Sequence, residues 1–223
     1  MPVETTHIQV AEGSEVEGLL DRPADARALL VLAHGAGAPM RHVFLEELTR
    51  RLAARRVATL RYAFPYAQRG ARAPDKPPVL MAAVRAAVAT AADLAPALPL
   101  FAGGKSMGGR MTSQAMAAAP LPGVRGLVFV GFPLHAAGKP SAARGAHLSE
   151  VRVPMLFLQG TRDTLADLTL LRPLVDGLAQ ARMHVVEGAD HGFHVRKSSG
   201  RTDGQVLDEL ADVTAAWMDQ AVR

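Results

Sequence analysis

The stretch Phe101-Ala102-Gly103-Gly104-Lys105-Ser106-Met107-Gly108-Gly109-Arg110 admits two readings, and the fold turns on which of them holds. As G-K-S it is the end of a phosphate-binding loop; as G-K-S-M-G it is the sharp turn that lifts a serine nucleophile above a sheet. A phosphate loop needs a glycine five positions before its G-K, so that successive backbone N–H groups wrap the phosphates. Pro99 stands there and has no N–H. The run PLFAG (99–103) reads as an apolar strand that enters Gly104 directly and leaves no loop to wrap anything. A nucleophile turn requires that abrupt junction. Its serine sits in strained backbone geometry, and small residues on both sides, here Gly104 and Gly108, let strand and helix approach. Glycine-rich pentapeptides occur by chance in a chain with 20 glycines. The strand before this one and the helix-forming run from Met107 to Ala119 after it select the nucleophile reading.

Outward from this turn, strand-like and helical runs alternate. ALLVLAH (28–34) is followed by a helical pattern over 43–56, VATLRY (57–62), and a helix over 79–94. After the elbow come RGLVFVG (125–131), PMLFLQG (154–160), a helix over 165–180, RMHVVEG (182–188) and a last helix over 204–221. Such alternation implies βαβ units and a parallel sheet, and the continuously apolar strands imply burial on both faces. The segment THIQVAEGSEVEGLLDRP alternates around Gly13-Ser14 and predicts an antiparallel hairpin at the sheet edge. The expected fold is a three-layer α/β/α sandwich in one domain over 1–223. The loops 63–78 and 132–153 are too short for a large lid.

A serine hydroxyl needs a histidine to take its proton and a carboxylate to hold that histidine. Strand 154–160 runs into Thr161-Arg162-Asp163, and strand 182–188 into Ala189-Asp190-His191. Ser106, Asp163 and His191 thus fall at three strand ends in the order Ser, acid, His that this turn type demands. Asp167 is placed on the following helix, and Asp190 adjoins His191 too closely to reach its ring. His184 lies in a strand pattern and reads as structural; His194 is the weaker base candidate. The Met107 N–H, just after the nucleophile, should donate to an oxyanion, with a second donor in His34-Gly35-Ala36-Gly37-Ala38: the Ala36 N–H, or alternatively that of Gly37. His34 is expected to fix that loop by hydrogen bonding.

Composition removes other classes. Absence of cysteine excludes disulfides and thiolate metal sites and suits a cytoplasmic setting. No apolar stretch is expected to reach the roughly 18 residues of a bilayer span, so no membrane association is expected. The formal charge of +4 comes mostly from dispersed arginine. The pairs Arg50-Arg51 and Arg55-Arg56 read as a solvated helix face, and few aromatics are present to stack on bases, so no nucleic-acid partner is expected.

On these motifs the chain resembles the α/β-hydrolases over nearly its whole length. More narrowly, HGAGAPMRHVF, RYAFPYAQRGARAPDKPP and GGKSMGGR resemble a small lidless branch near the dienelactone-hydrolase-like proteins, whose eukaryotic relatives include a chromatin-complex subunit. The resemblance implies a serine hydrolase (esterase-like) acting on a small-molecule ester or related acyl compound, with no metal or organic cofactor. Dienelactone hydrolases carry cysteine at the nucleophile, so Ser106 departs from them. The alternative is a binding or scaffold protein that retains the fold. In the segment 61–78, Arg61, Tyr62, Phe64 and Tyr66, together with His34, are candidates to shape a pocket; equally, its aromatics and prolines pin a loop. Lys105 and Arg110 flank the serine and either favour an acidic substrate or, for Arg110, bridge neighbouring loops.

Overall fold

The computed structural model describes residues 3–222. Eight strands form one sheet: β1 (Glu4–Ala11), β2 (Ser14–Asp21), β3 (Ala28–Ala33), β4 (Val57–Tyr62), β5 (Leu100–Lys105), β6 (Val124–Val130), β7 (Met155–Gly160) and β8 (Ala181–Val186). Their order is β1-β2-β4-β3-β5-β6-β7-β8. From β4 to β8 neighbours run parallel, whereas β1 and β2 pair as an antiparallel hairpin and β2 meets β4 antiparallel. Gly13, at φ 69°, makes the hairpin turn.

Side chains along the inner strands divide between the two faces with a period of two. Leu29, Val31 and Ala33 of β3 join the core beneath α3 (Pro77–Leu94), α4 (Met107–Ala118) and α5 (Leu168–Asp176). Leu30 and Leu32 join the opposite core with Leu45, Leu48 and Leu52 of α1 (Val43–Ala54) and Val206, Leu210 and Trp217 of α6 (Asp203–Ala221). The expected helix–sheet–helix layering is therefore present. Trp217 packs its edge on Phe101 at 5.8 Å between ring centroids.

Three expectations need correction. The helix expected over 165–180 is only Leu168–Asp176, because residues 163–167 form a turn in which Asp163 and Asp167 accept the N–H groups of Leu165 and Thr169, both at 2.8 Å. The arginines of α1 do not simply face solvent: Arg51 Nε lies 3.1 Å from Asp208 and Arg55 Nε 2.6 Å from Asp212, tying α1 to α6. Finally, α3 does reach the length and composition of a membrane span, at 18 residues and mean hydropathy 1.3. In the fold its stripe Leu80, Val84, Ala87, Val88 and Ala91 is buried against the sheet, and Arg85 on that helix hydrogen-bonds the Ala119 carbonyl at 2.9 Å.

The strand β5 continues to Lys105 rather than ending at Gly103, since Gly103, Gly104 and Lys105 pair with Val128, Phe129 and Val130. Because β3, β5, β6, β7 and β8 run parallel, the loops after them share one edge of the sheet, where α/β folds place their ligands. The 132–153 connection adds only a 3₁₀ turn (Ala143–Glu150), and the 63–78 connection only the short α2 (Pro65–Gln68) before α3 begins.

Candidate active site

Ser106 stands between β5 and α4 at φ 53°, ψ −118°. This backbone region costs a non-glycine residue about 1–3 kcal/mol and persists only where its surroundings enforce it. They do so here. The Ser106 N–H still bonds the sheet through Val130 O (3.1 Å), while its carbonyl already accepts from Arg110 N–H (3.2 Å) in the first turn of α4. A Cβ on Gly104 would lie 2.5 Å from Ala33 O, and one on Gly108 2.5 Å from the same atom, so strand and helix touch through backbone alone.

His191 follows β8 in a loop shaped by Asp190, whose Oδ1 accepts the N–H groups of Gly192 (2.8 Å) and His194 (3.0 Å). Asp190 thus builds the loop and does not bond the imidazole. His191 Nε2 lies 2.8 Å from Ser106 Oγ, and its Nδ1 lies 2.7 Å from Asp163 Oδ2. The three residues that the sequence places at separate strand ends therefore form one continuous hydrogen-bonded chain. The Asp163 side chain is fully buried. Its Oδ2 also accepts from Gln159 Nε2 at 2.5 Å, and its Oδ1 from Leu165 N–H at 2.8 Å. Gln159, itself fully buried, spends its Oε1 on Phe132 N–H at 3.0 Å and so locks β6 and β7 to the carboxylate. Sequence reasoning assigned Gln159 no role. The available signal was one amide in the otherwise apolar strand MLFLQG.

The other histidines have partners elsewhere. His184 pairs with Glu209 of α6 at 2.6 Å and His194 with Asp203 at 2.7 Å, as their structural and subsidiary readings anticipate. Asp167 caps α5 and is held below the usual carboxylate range by its hydrogen bonds from Thr169.

The loop after β3 is oriented from below. His34 is buried; Phe64 N–H donates to its Nε2 (3.1 Å), which leaves the proton on Nδ1, 2.7 Å from Gly35 O. Burial lowers its pKa and keeps it neutral, against the opposing pull of that backbone bond. Tyr66 Oη donates to Ala36 O at 3.0 Å. In a trans peptide C=O and N–H point opposite ways, so drawing the Gly35 and Ala36 carbonyls into the core turns the Ala36 and Gly37 N–H groups away from it. Ala36 and Gly37 both line the cavity above Ser106, and their N–H groups and that of Met107 meet no protein acceptor among the described residues.

That cavity measures about 630 Å³, within the range of small-molecule sites. Its walls correct the sequence reading. Arg61, Tyr62, Phe64, Tyr66 and His34 do not line it. All five are buried beneath the loop: Arg61 bonds Asp21 (3.0 Å) and Met40 O (2.9 Å), and the rings of Tyr62, Phe64 and Tyr66 pack on one another and on His34. They are the pins of the alternative reading. The cavity is instead walled by Val43 and Phe44 at the start of α1, Leu165, Phe193 and Leu207, with Lys105 and Ser106 at its base. These walls come from four chain segments, and no local pattern announces them. Arg110 lies outside the cavity lining, half-buried, and bridges no loop by a hydrogen bond among the described residues.

A family model described as "Alpha/beta hydrolase domain" matches residues 26–219. The chain belongs to the α/β hydrolases. Solved structures agree in fold. An α/β serine hydrolase homologue from Coxiella burnetii is 18% identical with a TM-score of 0.76, each chain covered to 97%. A dienelactone hydrolase from Anabaena variabilis is 19% identical with a TM-score of 0.76, covering 98% of this chain and 97% of its own. A lidless α/β serine hydrolase from Xanthomonas campestris is 18% identical with a TM-score of 0.74, covering 97% and 96%. In this α/β hydrolase the elbow, the loop after β3 and the ends of β7 and β8 occupy one sheet edge, with the short 132–153 and 63–78 connections around it.

Proposed function

We propose that this α/β hydrolase is a serine esterase that cleaves a small ester or related acyl compound through an acyl-enzyme on Ser106. The observation that carries the reading is the buried-to-exposed chain Asp163–His191–Ser106, at 2.7 and 2.8 Å, opening on a largely apolar cavity. His191 Nε2 takes the Ser106 proton as Oγ attacks the substrate carbonyl, and Asp163 holds the ring by Nδ1 and stabilises the imidazolium. The developing oxyanion is met by the Met107 N–H and by that of Ala36 or Gly37, groups that have no other protein acceptor to give up among the described residues. His191 then protonates the leaving group, and a water activated by the same imidazole releases the acyl group. The short 63–78 and 132–153 connections leave the site without a large cover, which favours short acyl chains over enclosure of long lipids.

Labelling by a fluorophosphonate probe, read by intact mass, tests this. Stoichiometric labelling of the wild type that is lost in Ser106→Ala supports an activated serine. A folded wild type that does not label supports the non-catalytic binding reading instead.

A further inference from the structure

The residue before the nucleophile is a lysine, and the hydrolytic scheme gives it no work. Lys105 ends β5 with 8% of its surface exposed. Its Nζ donates to the backbone carbonyl of His191 at 2.6 Å. It lies 5.7 Å from the ring centroid of Phe44 and 5.5 Å from that of Phe193, two rings that stack on each other at the cavity wall. Gly131, at φ +71° beyond β6, makes room for it: a Cβ there would sit 3.2 Å from Nζ and 3.5 Å from His191 Nδ1. The ammonium and the imidazole therefore share one small space.

An ammonium in such a place is costly, and a methionine would fill the same volume without that cost. No carboxylate forms a direct ion pair with it among the described residues. Burial draws its pKa down to about 8, opposed by the charges of Asp163 and Asp190, so it is cationic at neutral pH. Its single protein acceptor among the described residues is the backbone of the very residue that must hold its ring between Ser106 and Asp163.

We propose that Lys105 is a positioning residue for His191, tying the loop that carries the base to the strand that carries the nucleophile. The inference rests on the esterase reading above. The other charged and titratable groups around this space are Asp163 after β7, Asp190 after β8, the His194–Asp203 pair between that loop and α6, and His42 and Glu47 of the α1 start. His34, at the end of β3, is neutral.

The test compares the rate of fluorophosphonate labelling from pH 5 to 9 in wild type, Lys105→Met and Lys105→Gln, each checked for fold by circular dichroism. Lys105→Met should label roughly 10-fold more slowly at pH 7, of the order of one lost hydrogen bond from a charged group. Lys105→Gln keeps an N–H donor without the charge and should recover most of the rate. Wild-type rates in both folded variants, or an equal loss in both, would overturn the proposal. Loss of fold in both would also overturn it, since Lys105 would then hold the structure and not the base. A wild type that fails to label refutes the esterase reading itself, which is a different result from these.

Discussion

Gln159→Leu isolates the support of the carboxylate from the chemistry. Leucine fits the apolar strand but cannot donate to Asp163 or accept from Phe132, so two buried bonds disappear, at 2.5 and 3.0 Å. A bond to a charged group is worth about 1.5–3 kcal/mol, and an orphaned buried N–H costs about 1–3 kcal/mol. Allowing for the apolar burial gained, the variant should lose about 3 kcal/mol in urea unfolding. Asp163 keeps Leu165 N–H and His191 but loses the group that fixes Oδ2. We expect kcat toward a p-nitrophenyl ester to fall roughly 10-fold with KM nearly unchanged, because Gln159 does not line the cavity. Gln159→Glu sharpens the test. Beside buried Asp163 its carboxyl is held protonated by desolvation and like charge, and in that form it can donate to Oδ2. Relative to wild type, activity of this variant should fall as pH rises and the glutamate ionises. A Leu variant with wild-type stability and kcat would refute the bridging role.

Four further variants have outcomes that follow from the structure. Gly108→Ala puts a Cβ 2.5 Å from Ala33 O and 2.6 Å from His34 O, immovable backbone, and should cost about 3 kcal/mol or more in thermal melts; Gly37→Ala, with nothing within 4 Å, should be near neutral in stability. Tyr66→Phe frees the Ala36 carbonyl and should lower kcat/KM about fivefold, of the order of one lost hydrogen bond, with no change in the pH profile. For Lys105 the folded pKa of about 8 lies below its ordinary value, so between the two the unfolded chain binds more protons and stability rises with pH. The contribution is about 3 kcal/mol, and Lys105→Met should lack that rise when urea unfolding is followed from pH 7 to 10.

The layered α/β architecture and the three strand-end residues were legible because each rests on a local signal: an apolar run, a turn, and a side chain just past the strand. Ser106, Asp163 and His191 meet because parallel strands end on one edge, which alternation alone implies. The cavity was not legible, since Phe44, Leu165, Phe193 and Leu207 are far apart in the chain. The aromatics near Tyr62 read equally as a pocket or as pins of a loop because their chemistry suits both. Their burial depends on β4 lying inside the sheet between β2 and β3, which no local pattern reveals. The sequence offers Lys105 only as a charge beside the serine that favours an acidic substrate; its tie to the His191 loop was not legible, because it depends on β5 continuing far enough to carry the side chain under that loop.

The most direct measurement is to mix the protein with excess p-nitrophenyl butyrate, quench in acid during turnover and map the acyl group by peptide mass. A butyryl group should appear on the peptide containing Ser106 and be absent with Ser106→Ala, whose turnover also disappears. Turnover with no acyl group on Ser106, or turnover that survives in Ser106→Ala, would contradict an acyl-enzyme on this serine.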